Sequence, residues 1–319
     1  MEDFKSWAIA RVMEITKASD YLPLRIEMDG YASFDIVARR GKESIAIKII
    51  YNVDTLKSDV AHDLKKISVR LEMIVVVIGA RTGSGKLEDG VMYFRHQIPI
   101  MNMYTFREYM EGRKPIMYSG PGGYYIHING KRMQDLRTQK GKSIGYLSGK
   151  IGISRRSISL YETGNSTTPE IFKKLNELLE DDISEKISII DVCREWVSEF
   201  PEFGEAFTDI MGEVQETMNG IGFLTDFFRK SPFDAITEEN KDAVYVMGIS
   251  NGDIFDVKKI NSLKNLCHIL EKDPVLISTM NTTRDSLGGI SLITLSELKT
   301  LSTPEQLKRR IESLKESSY

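Results

Sequence analysis

The chain has 319 residues, 41% hydrophobic and 28% charged, which suits two or three globular domains and excludes a disordered or coiled-coil protein. Its net charge of −3 excludes a protein that is basic throughout, and no apolar run approaches the ~20 residues of a membrane helix. The opening MEDFKSWAIARVMEITK has early acids and no long apolar stretch, so no signal peptide is expected. Cys193 and Cys267 are far apart and have no partner at metal spacing, which suits buried thiols in a reducing, cytoplasmic compartment.

In chain order, residues 4–17 place Phe4, Trp7, Ala8, Val12 and Ile15 on one helical face. FDIVARR and ESIAIKII read as a hairpin around Arg40, Gly41 and Lys42. Helical spacing returns over 55–72 through Leu56, Val60, Leu64, Ile67 and Leu71. The β-branched runs MIVVVIGA (73–80) and IPIMNMY (98–104) predict buried strands. SGPGGYY at 119–125 reads as a linker, because three glycines and a proline interrupt regular structure. Four or five short helices are predicted over 129–182. LEDDISE (179–185) marks a joint, and FPEF (200–203) breaks a helical run that carries Ile187, Ile190, Trp196, Val197, Phe200, Phe203, Phe207, Ile210, Met211 and Val214.

The last third repeats the order of the first. Sliding residues 34–79 forward by 199 positions without a gap gives twelve identities in 46 positions, among them Phe34–Asp35 on Phe233–Asp234 and Leu64–Lys65 on Leu263–Lys264. SIAIKII then falls on AVYVMGI and VVIG on VLIS. The expected fold class is therefore α/β plus all-α: two similar α/β domains, related by internal duplication, flanking a central helix-turn-helix bundle. The expected boundaries are 1–122, 126–183 and 184–319.

Charge singles out the middle. Residues 129–164 sum to +6, whereas 183–319 sum to −8, so a compact basic segment sits in an otherwise acidic chain. Asn129 caps KRMQDLRTQK, Ser143 caps IGYLSGKI, Gly152 makes the turn, and Ser154 caps RRSISLYE. Pro169 opens the next helix. Leu147, Ile151, Ile153 and Ile158 are spaced to form the core between the crossed helices. Arg155, Arg156 and Ser157 then occupy the outward first turn of a recognition helix, with Leu160 one turn on, where side chains reach base edges in the major groove. Lys131, Arg132, Lys140, Lys142, Ser143, Lys150 and Ser154 are the expected phosphate contacts, which supply affinity rather than sequence information.

SIGYLSGKIGISRRSISLYETGN resembles the lambda-repressor/Cro-like helix-turn-helix family. The resemblance implies a structural pair between Arg137 and Glu162. Ile144 stands where that family usually has glutamine, and Ser148 where it usually has alanine. With FDIVARR, the apolar hairpin and LEDG, most of the chain also looks like an archaeal family of helix-turn-helix transcriptional regulators.

Three features of the sequence suggest enzyme chemistry. FDIVARRGKESIAIK resembles the core of the restriction-endonuclease-like fold, in which two acidic ligands hold a divalent ion and a lysine assists. Asp35 and Lys48 are present, but Ala46 stands where a carboxylate belongs. In the last third, Asp234 is followed by Tyr245 and Met247 at the corresponding gapless positions. IVVVIGARTGSGKLEDG mimics a phosphate-binding loop but has Ala80 for the first glycine and Leu87 for the metal-binding hydroxyl, so a surface turn is expected. His62, His96, His127 and His268 show no catalytic or metal spacing.

These readings predict a cytoplasmic, sequence-specific DNA-binding regulator of double-stranded DNA. It is expected to be a homodimer without cofactor, metal or catalytic residues, with a protein or small-molecule effector on the C-terminal domain. The alternative is a nuclease-like enzyme targeted by its helix-turn-helix, with the missing carboxylate drawn from Glu43 or Asp54. A third option is a scaffold that binds a protein through the acidic last domain.

Overall fold

A computed structural model describes residues 2–28, 32–196, 209–239, 243–250 and 256–316. They divide into two compact units: residues 1–49, 55–76 and 190–319 make the first, and 50–54 and 77–189 the second.

The first unit opens with α1 (Glu2–Ala18), which buries Ala8, Ile9, Val12 and Ile15 at helical spacing. β1 (Leu22–Arg25), β2 (Ile36–Arg40) and β3 (Glu43–Asn52) follow as antiparallel neighbours. Gly41, at φ 57°, supplies the left-handed residue that the β2–β3 turn requires. α2 (Ser58–Arg70) leads to β4 (Ile74–Arg81), a fully apolar strand at its start, and the strand order is β1-β2-β3-β4.

In the second unit the order continues β4-β6-β5-β7-β8. β5 (Val91–Arg95) and β6 (Ile98–Met101) form a hairpin, and β6 lies parallel to β4 with Ile100 opposite Val77. The predicted strand over 98–104 stops early. The Asn102 side chain accepts a hydrogen bond from the Thr105 amide and starts α3 (Met103–Met110). The predicted linker at 119–125 is also corrected: β7 (Met117–Gly120) and β8 (Gly123–Ile126) pair across Pro121–Gly122, so the glycines serve a hairpin turn. Four helices complete this unit: α4 (Gly130–Gln139), α5 (Ile144–Ile151), α6 (Arg155–Glu162) and α7 (Pro169–Leu179). Met133, Leu147, Ile151, Ile158, Phe172, Leu175 and Leu179 form their shared core, and Ile153 packs on it half-buried.

The remainder of the first unit follows α8 (Ile189–Glu195). Trp196 is buried, whereas Val197, Phe200, Phe203 and Phe207 of the apolar stripes lie outside the described residues. α9 (Ile210–Ile221) precedes β9 (Leu224–Phe227), β10 (Ala235–Glu239) and β11 (Ala243–Ser250). α10 (Val257–Leu270), β12 (Asp273–Ser278), β13 (Ser286–Leu287), β14 (Ile290–Thr294), α11 (Leu295–Leu298) and α12 (Pro304–Glu316) follow. The strand order is β13-β14-β12-β11-β10-β9, with β11, β12 and β14 parallel and the rest antiparallel. Strand alternation sends Tyr245, Met247, Val275 and Ile277 into one core with α9 and α12. Gly248 faces the other way. A Cβ there would meet Leu276 at 2.8 Å and Leu263 of α10 at 3.3 Å, so this helix packs close only over glycine.

Candidate functional site

Three caps set the geometry of the helical segment. Asn129, Ser143 and Ser154 accept hydrogen bonds from the amides of Arg132, Tyr146 and Ser157, satisfying donors that a helix start leaves unpaired. Gly152, in the left-handed region at φ 84°, ends α5 and turns the chain into α6. α4 reaches the end of α6 very closely: a Cβ on Gly130 would lie 2.4 Å from the Glu162 carbonyl oxygen, so only glycine fits.

Beside that approach Arg137 of α4 donates through Nε and Nη2 to the two carboxylate oxygens of Glu162, and through Nη1 to the Lys142 carbonyl at 3.0 Å. The fork is half-buried, and the bond to Glu162 holds the guanidinium pKa above its ordinary value. α4, α6 and the α4–α5 turn are thus held at one point.

With Ile158 wholly buried, the first turn of α6 faces outward. Arg155 and Arg156 are exposed, Ser157 is half-buried, and Leu160 is exposed one turn on. The Arg155 guanidinium lies along the first turn of α5, where a Cβ on Gly145 would be 3.1 Å from Nη2. Ser154 Oγ also reaches Ser157 Oγ at 2.9 Å. Tyr146, exposed on α5, stands between Lys142 and Lys150, each ammonium 5.9 Å from its ring centre.

The cations of the expected phosphate set fall into two groups. Lys131 and Lys150 are exposed, beside the exposed caps Ser143 and Ser154. Arg132, Lys140 and Lys142 instead engage the C-terminal end of α7. Arg132 donates to the Asp182 carbonyl and to Asp181, Lys140 pairs with Glu180 at 2.8 Å, and Lys142 Nζ donates to the Leu178 carbonyl. These acceptors are the unpaired carbonyls and acids of a helix C-terminus, a natural cation site.

The nuclease-like centre lies in the first unit. Asp35, just before β2, is buried; its Oδ2 accepts from the Ile49 amide at 2.7 Å. Lys48, wholly buried on β3, approaches Oδ2 at 3.3 Å and also donates to the Ala32 carbonyl. Burial pushes the Lys48 ammonium down to about 8, against the opposing pull of Asp35. Lys5 of α1, which sequence spacing gave no means of finding, reaches Asp35 Oδ1 at 2.7 Å. Ala46 is buried two residues before Lys48 and offers no oxygen. A divalent ion does not fit this donor set: one carboxylate is present, and an ammonium already sits against it. Among the described residues no group of three or more His, Cys, Asp or Glu side chains could hold a metal. Of the alternative carboxylates, Glu43 stands at the far end of β3, 3.6 Å from Arg40, and Asp54 accepts from the Gly83 amide at 2.5 Å and from Arg95. That same bond shows the phosphate-loop mimic to be a turn whose amide faces a carboxylate.

In the last third, Asp234, which the alignment sets against Asp35, makes similar backbone contacts. Its amide donates to the Met247 carbonyl as that of Asp35 does to Ile47, and its Oδ2 accepts from the Ile249 amide at 2.7 Å. These bonds correct the gapless alignment by one residue along β11. Val246 and Gly248 match Ala46 and Lys48, while Tyr245 and Met247 point into the other core. Lys259 of α10 pairs with Asp234 Oδ1 at 2.5 Å.

Comparison with known proteins covers both regions. Residues 6–115 match the PD-(D/E)XK superfamily domain, and residues 133–183 match a helix-turn-helix family. A protein of Thermoplasma acidophilum named as a candidate HTH-type transcriptional regulatory protein is 35% identical over 312 residues, 98% of this chain and 99% of that protein. One of Picrophilus torridus with the same description is 35% identical, covering 90% of each chain. A third, from Halorubrum lacusprofundi, is 30% identical over 88% of each. No solved structure matches the chain.

Proposed function

The chain belongs to the archaeal family of HTH-type transcriptional regulatory proteins, and from that premise we propose that it is a sequence-specific DNA-binding regulator that reads the major groove with α6. The observation that carries this reading is the exposed first turn of α6, with Arg155 and Arg156 side by side, capped by Ser154 and braced behind by Arg137 and Glu162. Arg155, Arg156, Ser157 and Leu160 are the proposed base contacts. Ser143, Lys150, Ser154 and Lys131 are the proposed phosphate contacts, with Arg132, Lys140 and Lys142 serving mainly to seat α7. A homodimer would present two such helices to a two-fold site, and an effector would act through the acidic C-terminal part. No helix among the described residues is long and apolar enough to cross a membrane, and the proposed setting is the cytoplasm.

The proposed organisation is 1–122, 126–183 and 184–319, with the outer two domains arising by duplication. The run α1-β1-β2-β3-α2-β4-β5-β6-α3 is repeated as α9-β9-β10-β11-α10-β12-β13-β14-α11, with the same strand neighbours from β1 to β6 and from β9 to β14. The contacts between the repeats support a two-fold relation. Arg39 Nη1 donates to the Ile269 carbonyl at 2.7 Å, and Arg70 Nη1 donates to Glu238 Oε1 at 2.6 Å. A shift of 199 carries Arg39 to Glu238 and Arg70 to Ile269, so the two contacts exchange, as across an isologous interface. We take the nuclease-like part to be a binding or assembly element rather than an enzyme, on the donor set around Asp35.

The test is selection of bound fragments from genomic DNA by the intact protein, at two salt concentrations with Mg²⁺ present, beside an Arg155→Ala/Arg156→Ala variant. Enrichment of one dyad-symmetric sequence, lost in the variant and without strand cleavage, supports the regulator. Equal recovery of all fragments by both proteins would sink it, and cleavage would favour the enzyme.

A further inference from the structure

We propose that Asp35 and Asp234, the carboxylates at the metal-binding position of the nuclease-like architecture, are each held by a lysine ammonium in the place of a divalent cation, forming two structural ion-pair sites that take no metal. The two sites share one arrangement, and at Asp35 the Lys48 ammonium adds a second cation 3.3 Å from Oδ2. In each, one carboxylate oxygen is fixed at 2.7 Å by a backbone amide of the third strand, from Ile49 or Ile249. The other oxygen is turned to an ammonium, Lys5 at 2.7 Å or Lys259 at 2.5 Å. Both aspartates are buried, at 4% and 9% exposure, where a charge is costly unless it is paired.

The two lysines come from different elements. Lys5 is on α1, ahead of the sheet, whereas Lys259 is on α10, which corresponds in order to α2. Lys48, at the position of the nuclease lysine, has Gly248 as its counterpart. Lys5 and Lys259, the lysines nearest the second oxygen at the two sites, are therefore not equivalent residues, although Lys48 adds its charge at Asp35. The ammonium nearest that oxygen has been supplied separately at each site, which points to a requirement for positive charge there. Mg²⁺ takes octahedral oxygen ligation at about 2.0–2.1 Å with water filling most positions, so what excludes it here is the ammonium already on the carboxylate oxygen it would take. Around Asp35 the surroundings reinforce the exclusion. Lys5 and Asp35 line a cavity of about 340 Å³ whose wall also carries Arg25, Lys258 and Glu27, so three cations outnumber two carboxylates where a divalent cation would enter.

The inference rests on the nuclease-like match over 6–115, on the proposed duplication for Asp234 and on these contacts, not on the DNA-reading assignment, so the tests of the two are separate. Uptake of Mn²⁺ by the full chain is read from the loss of the free-ion electron paramagnetic resonance signal, beside melting of Lys5→Met and Lys259→Met variants. The expected result is no Mn²⁺ uptake by the wild type and a melting temperature lowered by about 2–4 °C or more in each variant, the size of shift for loss of a modest stabilising contact in a chain of this class. Saturable uptake by the wild type that disappears in Asp35→Asn would overturn the proposal. So would wild-type melting of both lysine variants.

Discussion

The Phe34 ring lies against the Phe233 ring, centroids 6.4 Å apart and tilted by 38°, and each residue immediately precedes one of the two buried aspartates. Both rings are buried, and under the proposed duplication they are equivalent residues in contact with each other, as expected at a two-fold axis. Phe34→Ala and Phe233→Ala should each cost about 3–5 kcal/mol. Because they share one contact, the double variant should cost less than the sum by roughly 0.5–1.5 kcal/mol. Urea unfolding of the four proteins gives the coupling, and strict additivity would remove Phe34–Phe233 as a joint between the repeats.

The division of the basic residues predicts a division of salt effects. Each phosphate contact contributes about one to the slope of log affinity against log salt. Lys131→Ala and Lys150→Ala should therefore reduce the slope by about one each. Arg132→Ala, whose guanidinium is engaged by Asp181 and the Asp182 carbonyl, should leave the slope unchanged and lower the melting temperature instead. Fluorescence anisotropy across a salt series separates the two groups, and an equal drop for all three would contradict the assignment.

Gly130 and Glu162 together hold the start of α4 against the end of α6. Gly130→Ala drives a methyl into backbone 2.4 Å away, and Glu162→Ala leaves the Arg137 fork without its carboxylate. Each should destabilise the helical segment by about 2–3 kcal/mol, the range for a broken charged hydrogen bond or an overpacked contact. Glu162→Gln, which keeps one acceptor, should lose less. Hydrogen exchange of α4–α6 amides measures this directly, and unchanged protection in all three variants would show that the pair carries no structural load.

How much of this was legible in sequence follows from the range of the forces involved. The caps Asn129, Ser143 and Ser154, the turn at Gly152 and the α6 tip are set by local hydrogen bonding, and they lie where composition and period placed them. The end of β6 was misread because MNMYTF is as apolar as a strand and only the Asn102 side chain marks the helix start. SGPGGYY was misread because glycine and proline signal a turn but not whether the flanks pair. The one-residue offset in β11 depends on its hydrogen-bond register, to which a gapless comparison is blind. Lys5 and the α7 acceptors for Arg132, Lys140 and Lys142 are contacts across some 30 to 50 residues, which no local spacing encodes.

Lys48 predicts how stability varies with alkali. Its ordinary pKa is 10.5 and burial lowers it to about 8 in the folded chain. Between these values the unfolded chain holds a proton that the folded chain has released, so stability rises with pH across that window from this group. Below about pH 8 the contribution is a constant penalty, on the order of 3 kcal/mol from a shift of this size. Above 10.5 it is gone. Lys48→Met removes the titration while keeping the length of the chain, and Lys5 and the Ile49 amide still hold Asp35. Urea unfolding of both proteins at a series of pH values between neutrality and 10 should show the wild type gaining on the variant as pH rises. A difference that stays flat over that range would mean that Lys48 is not held charged against burial in the folded chain.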